Sequence, residues 1–226
     1  METVYIWTIG FLLGLKHSLD PDHIVAVSAI VSRHRSTARS ALSGLLWGIG
    51  HTGTLFIAAL VILVLGLTVP APLERWLELL VGVMLVGLGV GVVRRAVSAR
   101  LHIHGHRHGG RAHVHFHTHE PDEAHEINHT HDHGRSVLVG MVHGLAGSAG
   151  FMLLLVSQVD SLSSGLVFVV VFGLGTILGM MLFGGVISLP LRASAGLPRL
   201  NSLMRLSVGL GSLVLGAIII AENLPS

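Results

Sequence analysis

Between Lys16 and His23 the chain reads Lys-His-Ser-Leu-Asp-Pro-Asp-His, which sets one lysine, two carboxylates and two imidazoles into an otherwise apolar stretch. Each ionisable side chain at membrane depth costs about 2.5–3.5 kcal/mol, so a cluster of five is poor filler. Imidazole nitrogen combined with carboxylate oxygen suits nickel, cobalt and zinc. Magnesium or calcium would need mainly oxygen donors. His17, Asp22 and His23 are the expected metal ligands, and His51, accompanied by the hydroxyls of Thr52 and Thr54, is the expected fourth donor. Asp20, His143, Lys16 and Thr52 are weaker candidates. Asp20 could ligate or could cap a helix and orient a histidine. Lys16 could pair with an aspartate or snorkel to an interface. Ser148 and Asn201 rank below these, and His34, in a basic loop, reads as a solvated surface residue.

A second group of metal-type side chains lies between His102 and His133: His102, His104, His106, His108, His113, His115, His117, His119, His125, His129, His131 and His133. Glu120, Asp122, Glu123, Glu126 and Asp132 add carboxylates. The mostly alternate spacing differs from that of a zinc finger, and the segment has no apolar core to bury. It is expected to be disordered without metal and to act as a flexible chelator of several ions, in preference to an inert linker or a pH sensor.

Pro21 must disturb the helix that carries the first cluster, because it lacks an N–H and clashes with the carbonyl of His17. Asp20 followed by Pro21 reads as an N-cap and first helical residue. In a straight helix six residues place His17 and His23 about 240° apart. A break at Pro21 would bring them closer to one site.

The surrounding chain is a membrane protein by composition. Of 226 residues 51% are hydrophobic and only 12% charged, with mean hydropathy +0.74, against about 25% charged in a soluble domain. This excludes a soluble enzyme, a disordered chain and a coiled coil. Cysteine is absent, which removes disulfides and thiolate metal sites. Six apolar segments, Val4–Val31, Ala41–Leu67, Leu73–Val93, Ser136–Val156, Gly165–Leu189 and Ser202–Ala221, are each long enough to cross a bilayer. The first lacks the basic start and small-residue cleavage site of a signal peptide and is expected to be retained. Twelve of the 14 Lys and Arg fall between or just inside the facing ends of segments one and two (Arg33, Arg35, Arg39), three and four (Arg94, Arg95, Arg100, Arg107, Arg111, Arg135), or five and six (Arg192, Arg199, Arg205). The positive-inside rule places these loops in the cytoplasm and both termini outside. Charge distributed in this way argues against a nucleic-acid partner, despite a pI near 9.9.

The chain also repeats itself. Gly14-Leu-Lys-His aligns with Gly140-Met-Val-His at an offset of 126, and Trp47-Gly-Ile-Gly aligns with Phe172-Gly-Leu-Gly at 125. Three spans per half is odd, so related halves must insert with opposite orientation, and in such proteins the site lies near the midplane at broken helices. The expected fold is an all-α membrane protein of six transmembrane helices in two inverted three-helix repeats, with the first helix broken at Pro21. One membrane domain spans 1–226: a first repeat over 1–95, a His-rich cytoplasmic loop over 96–135 and a second repeat over 136–226.

His17, then Asp22-His23-Ile24, within HSLDPDHIVAVSAI, resembles the second-helix signature of the nickel/cobalt transporter family, whose fuller form is His-Ala-x-Asp-Ala-Asp-His-Ile. Gly48-Ile-Gly-His-Thr52 resembles that family's Gly-His-Ser/Thr motif. The likeness covers roughly Gly10–Leu55 in motif and the whole chain in architecture. Long uptake permeases of the family carry the signature in the second of eight spans; here it is in the first of six, as in the short urease-accessory branch. Pro21 replaces the usual alanine. Efflux members share a His-rich loop between spans three and four, but their signature is closer to His-Gly-x-Glu-Pro-Gly-His, from which Asp22 departs.

The expectation is therefore a carrier, not an enzyme, moving Ni2+ or Co2+ across the cytoplasmic membrane, with uptake favoured. Zn2+ is chemically allowed. Metal is cargo, with no resident cofactor, and the partners expected are membrane lipid and a cytoplasmic metallochaperone. An efflux carrier and a membrane-bound metal sensor are the alternatives. Metal-bound water could support hydrolysis, but no substrate pocket is identifiable. No Walker loop or aspartyl-phosphorylation motif suggests a nucleotide-driven pump. Loop binding requires neutral imidazole. In a calorimetric titration of the excised loop, nickel affinity is expected to fall as pH drops below about 6.5, and equal affinity at mildly acidic and mildly alkaline pH would refute the chelator.

Overall fold

In the computed structural model the chain is described over residues 2–34, 36–67, 69–98, 103–108, 111–116, 129–147 and 161–224. Helices form where the apolar segments lie: α1 Glu2–His17, α2 Pro21–Val31, α3 Thr37–Leu65, α4 Ala71–Ser98, α5 His129–Ala146, α6 Leu162–Ala193 and α7 Pro198–Asn223. At 1.5 Å per residue, α3, α4, α6 and α7 run to about 40 Å or more, beyond the roughly 30 Å of a hydrocarbon core. All four are long and apolar enough to cross a membrane. Large apolar side chains such as Ile57, Val64, Val83, Leu174 and Val214 remain exposed along them, as lipid contact requires. The all-helical membrane class stands. The part of the fourth segment beyond Gly147 lies outside the described residues.

The expected break is present. Leu19 N–H and Asp20 N–H donate to carbonyls three residues back, those of Lys16 and His17, at 2.9 and 3.1 Å. Asp20 is then extended, with φ −63 and ψ 146, and Pro21 opens α2. Ile24 N–H donates to the Asp20 carbonyl at 3.0 Å, so the ladder restarts one residue before the proline. Neither α1 nor α2, about 24 and 17 Å long, crosses a bilayer alone.

The His-rich segment differs from expectation. Its composition predicts disorder without metal, yet Ile103–His108 and Arg111–Phe116 pair as an antiparallel hairpin, β1 and β2. Its register sets His104 opposite His115 and His106 opposite His113. Alternate spacing is the period of a strand, and Gly109-Gly110 between the two runs is a short-turn signal. His102, His117, His119 and His125 lie outside the described residues, while His129, His131 and His133 fall in the first turns of α5, which begins seven residues before the segment at Ser136.

Packing is organised by glycines at helix crossings. A Cβ on Gly14 of α1 would overlap the Phe172 carbonyl and come within 3.0 Å of Thr176 N on α6. A Cβ on Gly140 of α5 would overlap the Trp47 carbonyl and come within 3.0 Å of His51 N on α3. Gly175 meets Phe11 and Leu15 in the same way that Gly50 meets Val137 and Met141. These contacts exchange under the sequence offsets of 125 and 126. The pattern extends to α4 and α7, where Gly89 meets Gly209 and Leu213 while Gly216 meets Gly82 and Val86. One core gathers Ala26, Val27, Val31, Trp47, Val81, Leu85, Ala146 and Met180. A second gathers Leu55, Ala59, Phe168, Val169 and Phe172.

At the end of the bundle that carries the α2–α3 and α6–α7 loops, the helices are tied by arginines. Arg192 donates to Thr37 Oγ1, and Arg205 donates to the Ser32 carbonyl and, at 2.8 Å, to Asn201 Oδ1.

Overpacking a tight crossing costs about 1–3 kcal/mol or more. Gly14→Val and Gly140→Val are each expected to lower the unfolding midpoint of detergent-purified protein, whereas Gly53→Ala and Gly87→Ala, with nothing within 4 Å of the added carbon, are expected to leave it unchanged or raise it. Equal behaviour of the two pairs in a thermal melt would contradict the packing described.

Candidate metal centre

The broken helix folds His17 back toward His23, and their ring centroids are 4.5 Å apart. α3 brings His51, whose Nε2 is 3.4 Å from His17 Nε2. α5 brings His143, whose Nε2 is 2.7 Å from Asp22 Oδ2. Asp22 accepts from the His23 backbone N–H at 2.9 Å and lies 2.8 Å from His23 Nδ1 through the same Oδ1. Thus all four expected ligands converge, together with His143, the weaker candidate.

Ligand atoms in the cluster fall into two groups of three, each within 4.8 Å: His17, His23 and His51, and Asp22, His23 and His143. With bonds of about 2.0–2.1 Å, neighbouring donors on a tetrahedral ion stand about 3.3–3.4 Å apart. The His17–His51 spacing matches that edge. The Asp22–His143 spacing is that of a hydrogen bond and must open to admit an ion.

Charge and burial fit a divalent cation. The carboxylates of Asp20 and Asp22 are each bonded to imidazole, with no Lys or Arg partner among the described residues. Two carboxylates beside several imidazoles are the oxygen and nitrogen donors that a borderline divalent cation takes. His23, His51 and His143 are buried, and His23 Nε2, His51 Nδ1 and His143 Nδ1 lack a hydrogen-bond partner. Buried imidazole nitrogens without partners are costly, and a bound ion would satisfy such atoms.

The weaker candidates separate. Asp20 occupies the N-cap position of α2, but its side chain makes no cap bond; it holds His17 Nδ1 at 2.8 Å instead. The orienting role is therefore the one its geometry supports, because a carboxylate on Nδ1 leaves Nε2 for the ion. Lys16 is exposed on α1 and does not join the buried rings. Thr52 Oγ1 donates across to the Gly173 carbonyl of α6 at 3.4 Å, and Thr54 Oγ1 bonds back to the Gly50 carbonyl within α3 at 2.8 Å, so neither hydroxyl is directed to the cluster. Asn201 binds the Leu191 carbonyl and Ser194. Ser148 lies outside the described residues. His34 is half-buried, its Nε2 2.8 Å from Ser43 Oγ, which corrects the expectation of a solvated side chain.

Sequence reasoning missed the walls of the site. Trp47, fully buried, lies nearly parallel to His51 at 5.6 Å and edge-on to His23 and His143 at 5.2 and 5.3 Å. Phe172 packs at 5.3 Å against His17. Both stand at the head of a repeated motif, and that position was the available signal.

The chain matches the family described as "Cytochrome C biogenesis protein transmembrane region" over residues 24–218. It is 36% identical to the urease accessory protein UreH of Bacillus sp. (strain TB-90), across 96% of this chain and 90% of that protein. Chloroplast proteins FOR GROWTH AND FERTILITY 1 and 2 of Arabidopsis thaliana are 29% and 28% identical over 77% of the chain, which spans 47% and 44% of their lengths. No solved structure matches.

Proposed function

This chain belongs to the membrane family described as the cytochrome C biogenesis protein transmembrane region and is of urease-accessory type, and from that premise we propose that it is a secondary carrier for Ni2+ or Co2+, favouring uptake. The observation that carries the proposal is the convergence of His17, Asp22, His23, His51 and His143 inside an apolar bundle at a broken helix. The name of UreH ties that relative to urease, and relatedness across nearly the whole chain supports a nickel-linked role here. Zinc fits the same donors.

In this reading six spans form two inverted repeats around the site. Support comes from the exchanging glycine contacts and from the run of the contacts between equivalent helices. Gly48 on α3 meets Ile177 on α6, and Gly173 meets Thr52, so these helices are antiparallel, as inversion demands. The loops joined by Arg192 and Arg205 face the cytoplasm, with both termini outside. His17, Asp22, His23 and His51 take the ion from water, with His143 added to them, and rocking of the two halves opens the site to either side. Two charges moving inward across 100 mV gain about 4.6 kcal/mol, enough to drive uptake, whereas efflux would require proton coupling. The His-rich segment buffers metal on the cytoplasmic side and presents it to a metallochaperone.

Two tests bear on this. Nickel and cobalt content of cells expressing wild type is expected to rise with time, and to stay at background with His17→Ala/His23→Ala at matched membrane levels. A fall with wild type that the variant reverses would mean efflux, and no difference would favour a sensor. Replacing Leu101–Asn128 by a short Gly/Ser linker, which spares α5, is expected to change apparent affinity or regulation and leave transport measurable. Complete loss of transport from a folded deletion protein would refute that division of labour.

A further inference from the structure

The geometry points to two alternative positions for one ion, a three-histidine position (His17, His23, His51) and a carboxylate–histidine position (Asp22, His23, His143), between which the ion passes across the His23 ring. This rests on the carrier reading above.

Several observations converge on it. The five donors do not close on one point but fall into two groups that share only His23. A bond length of about 2.0–2.1 Å limits any two donors of one ion to about 4.2 Å, so no static ion collects all five. His23 has two ring nitrogens to offer the two groups. Its Nδ1 lies 2.8 Å from Asp22 Oδ1, which leaves Nε2, buried and without a hydrogen-bond partner, for His17 and His51. A neutral imidazole offers one lone pair at a time, so occupancy of one position excludes the other, and passage of the ion from Nε2 to Nδ1 requires the ring proton to move from Nδ1, where Asp22 Oδ1 accepts it, to Nε2.

The repeat supplies the second line of support. His17 and His143 are equivalents at offset 126, and Trp47 and Phe172 at offset 125. His17 packs on Phe172 and His143 on Trp47, each at 5.3 Å, across the two halves. Each of these histidines also holds a carboxylate, Asp20 at 2.8 Å and Asp22 at 2.7 Å. The equivalent histidines therefore sit on either side of His23, whose ring centroid is 4.5 Å from one and 4.3 Å from the other. Each position also has one partly exposed donor. His17 is 19% exposed and Asp22 30%, while His23 and His143 are 2% and His51 is sealed. An ion received at one position and released from the other needs a donor common to both, and His23 is that donor.

The test uses full-length protein in lipid nanodiscs with Co2+ as the probe, read by visible absorption. A His17/His23/His51/His143→Ala variant, titrated in parallel, gives the contribution of the His-rich segment for subtraction. Above that reference, wild type is expected to bind one cobalt per chain. His17→Ala and the near-isosteric His51→Gln are expected to leave one common spectrum. His143→Ala and the near-isosteric Asp22→Asn are expected to leave a second, different one. All four are expected to bind within about tenfold of wild type, and His23→Ala about 100-fold or more weaker, beyond the loss typical of a residue that only supports a ligand. All four are also expected to fail to raise nickel content in cells. If the four variants share one altered spectrum and weaken alike, a single site is present and the two positions are refuted while the carrier reading stands. Two cobalt ions bound at once, or wild-type transport by any of the four, would also overturn the passage across His23. If wild type shows nothing above the reference, the carrier reading falls as well.

Discussion

The carboxylate of Asp22 bonds His23 on its own helix and His143 on α5, 121 residues further along the chain. A carboxylate in an apolar bundle is tolerated only when its oxygens are engaged, and these bonds engage both. They also join the broken first helix to the second half of the molecule, so the arrangement of α1, α2, α3 and α5 depends on how this one charge is held. The neighbouring carboxylate follows the same rule: Asp20 gives up capping α2 in order to bond His17. The lost cap is tolerable because Pro21 has no N–H to satisfy and the N–H of His23, which a capping side chain could take, donates to Asp22 Oδ1.

Glycine makes those bonds reachable. Histidine side chains are short, and rings on four helix segments meet only if the backbones carrying them nearly touch. Gly14, Gly50, Gly140 and Gly175 provide that approach, each placed against a carbonyl of the opposite half. In lipid, where no hydrophobic driving force holds helices together, such contact is also the chief source of association. The same crossings therefore serve stability and assembly of the site. Trp47 and Phe172 complete the enclosure, filling space that water would otherwise take and limiting the tilt of the rings against them.

The His-rich segment is governed by different physics. It has no apolar face to bury, and its local order comes from strand pairing between Ile103–His108 and Arg111–Phe116. Alternation of histidine with other residues was read for its metal chemistry and for its contrast with a zinc finger. The same alternation, interrupted by Gly109-Gly110, is also a hairpin signal. One pattern carried both meanings, and the absence of any core hid the second.

Much of the molecule follows from sequence alone, because the controlling terms are local. Apolar length sets the membrane helices, Pro21 must break the first of them, and ionisable residues at membrane depth mark the site, whatever surrounds them. His17, Asp22, His23 and His51 are legible as a candidate cluster for that reason, and the two short matches at nearly one offset are legible in the chain itself. The standing of His143 was not, since a lone histidine in a span reads equally well as packing; only the crossing of α5 over α3 at Gly140 carries it to Asp22. Nor could spacing separate Asp20, which orients a ring, from Asp22, which joins two helices, or divide the donors into two groups. Those distinctions depend on distances between segments more than 100 residues apart, and such distances are fixed by how closely helix backbones approach, a property of the packed bundle and of no single stretch of chain.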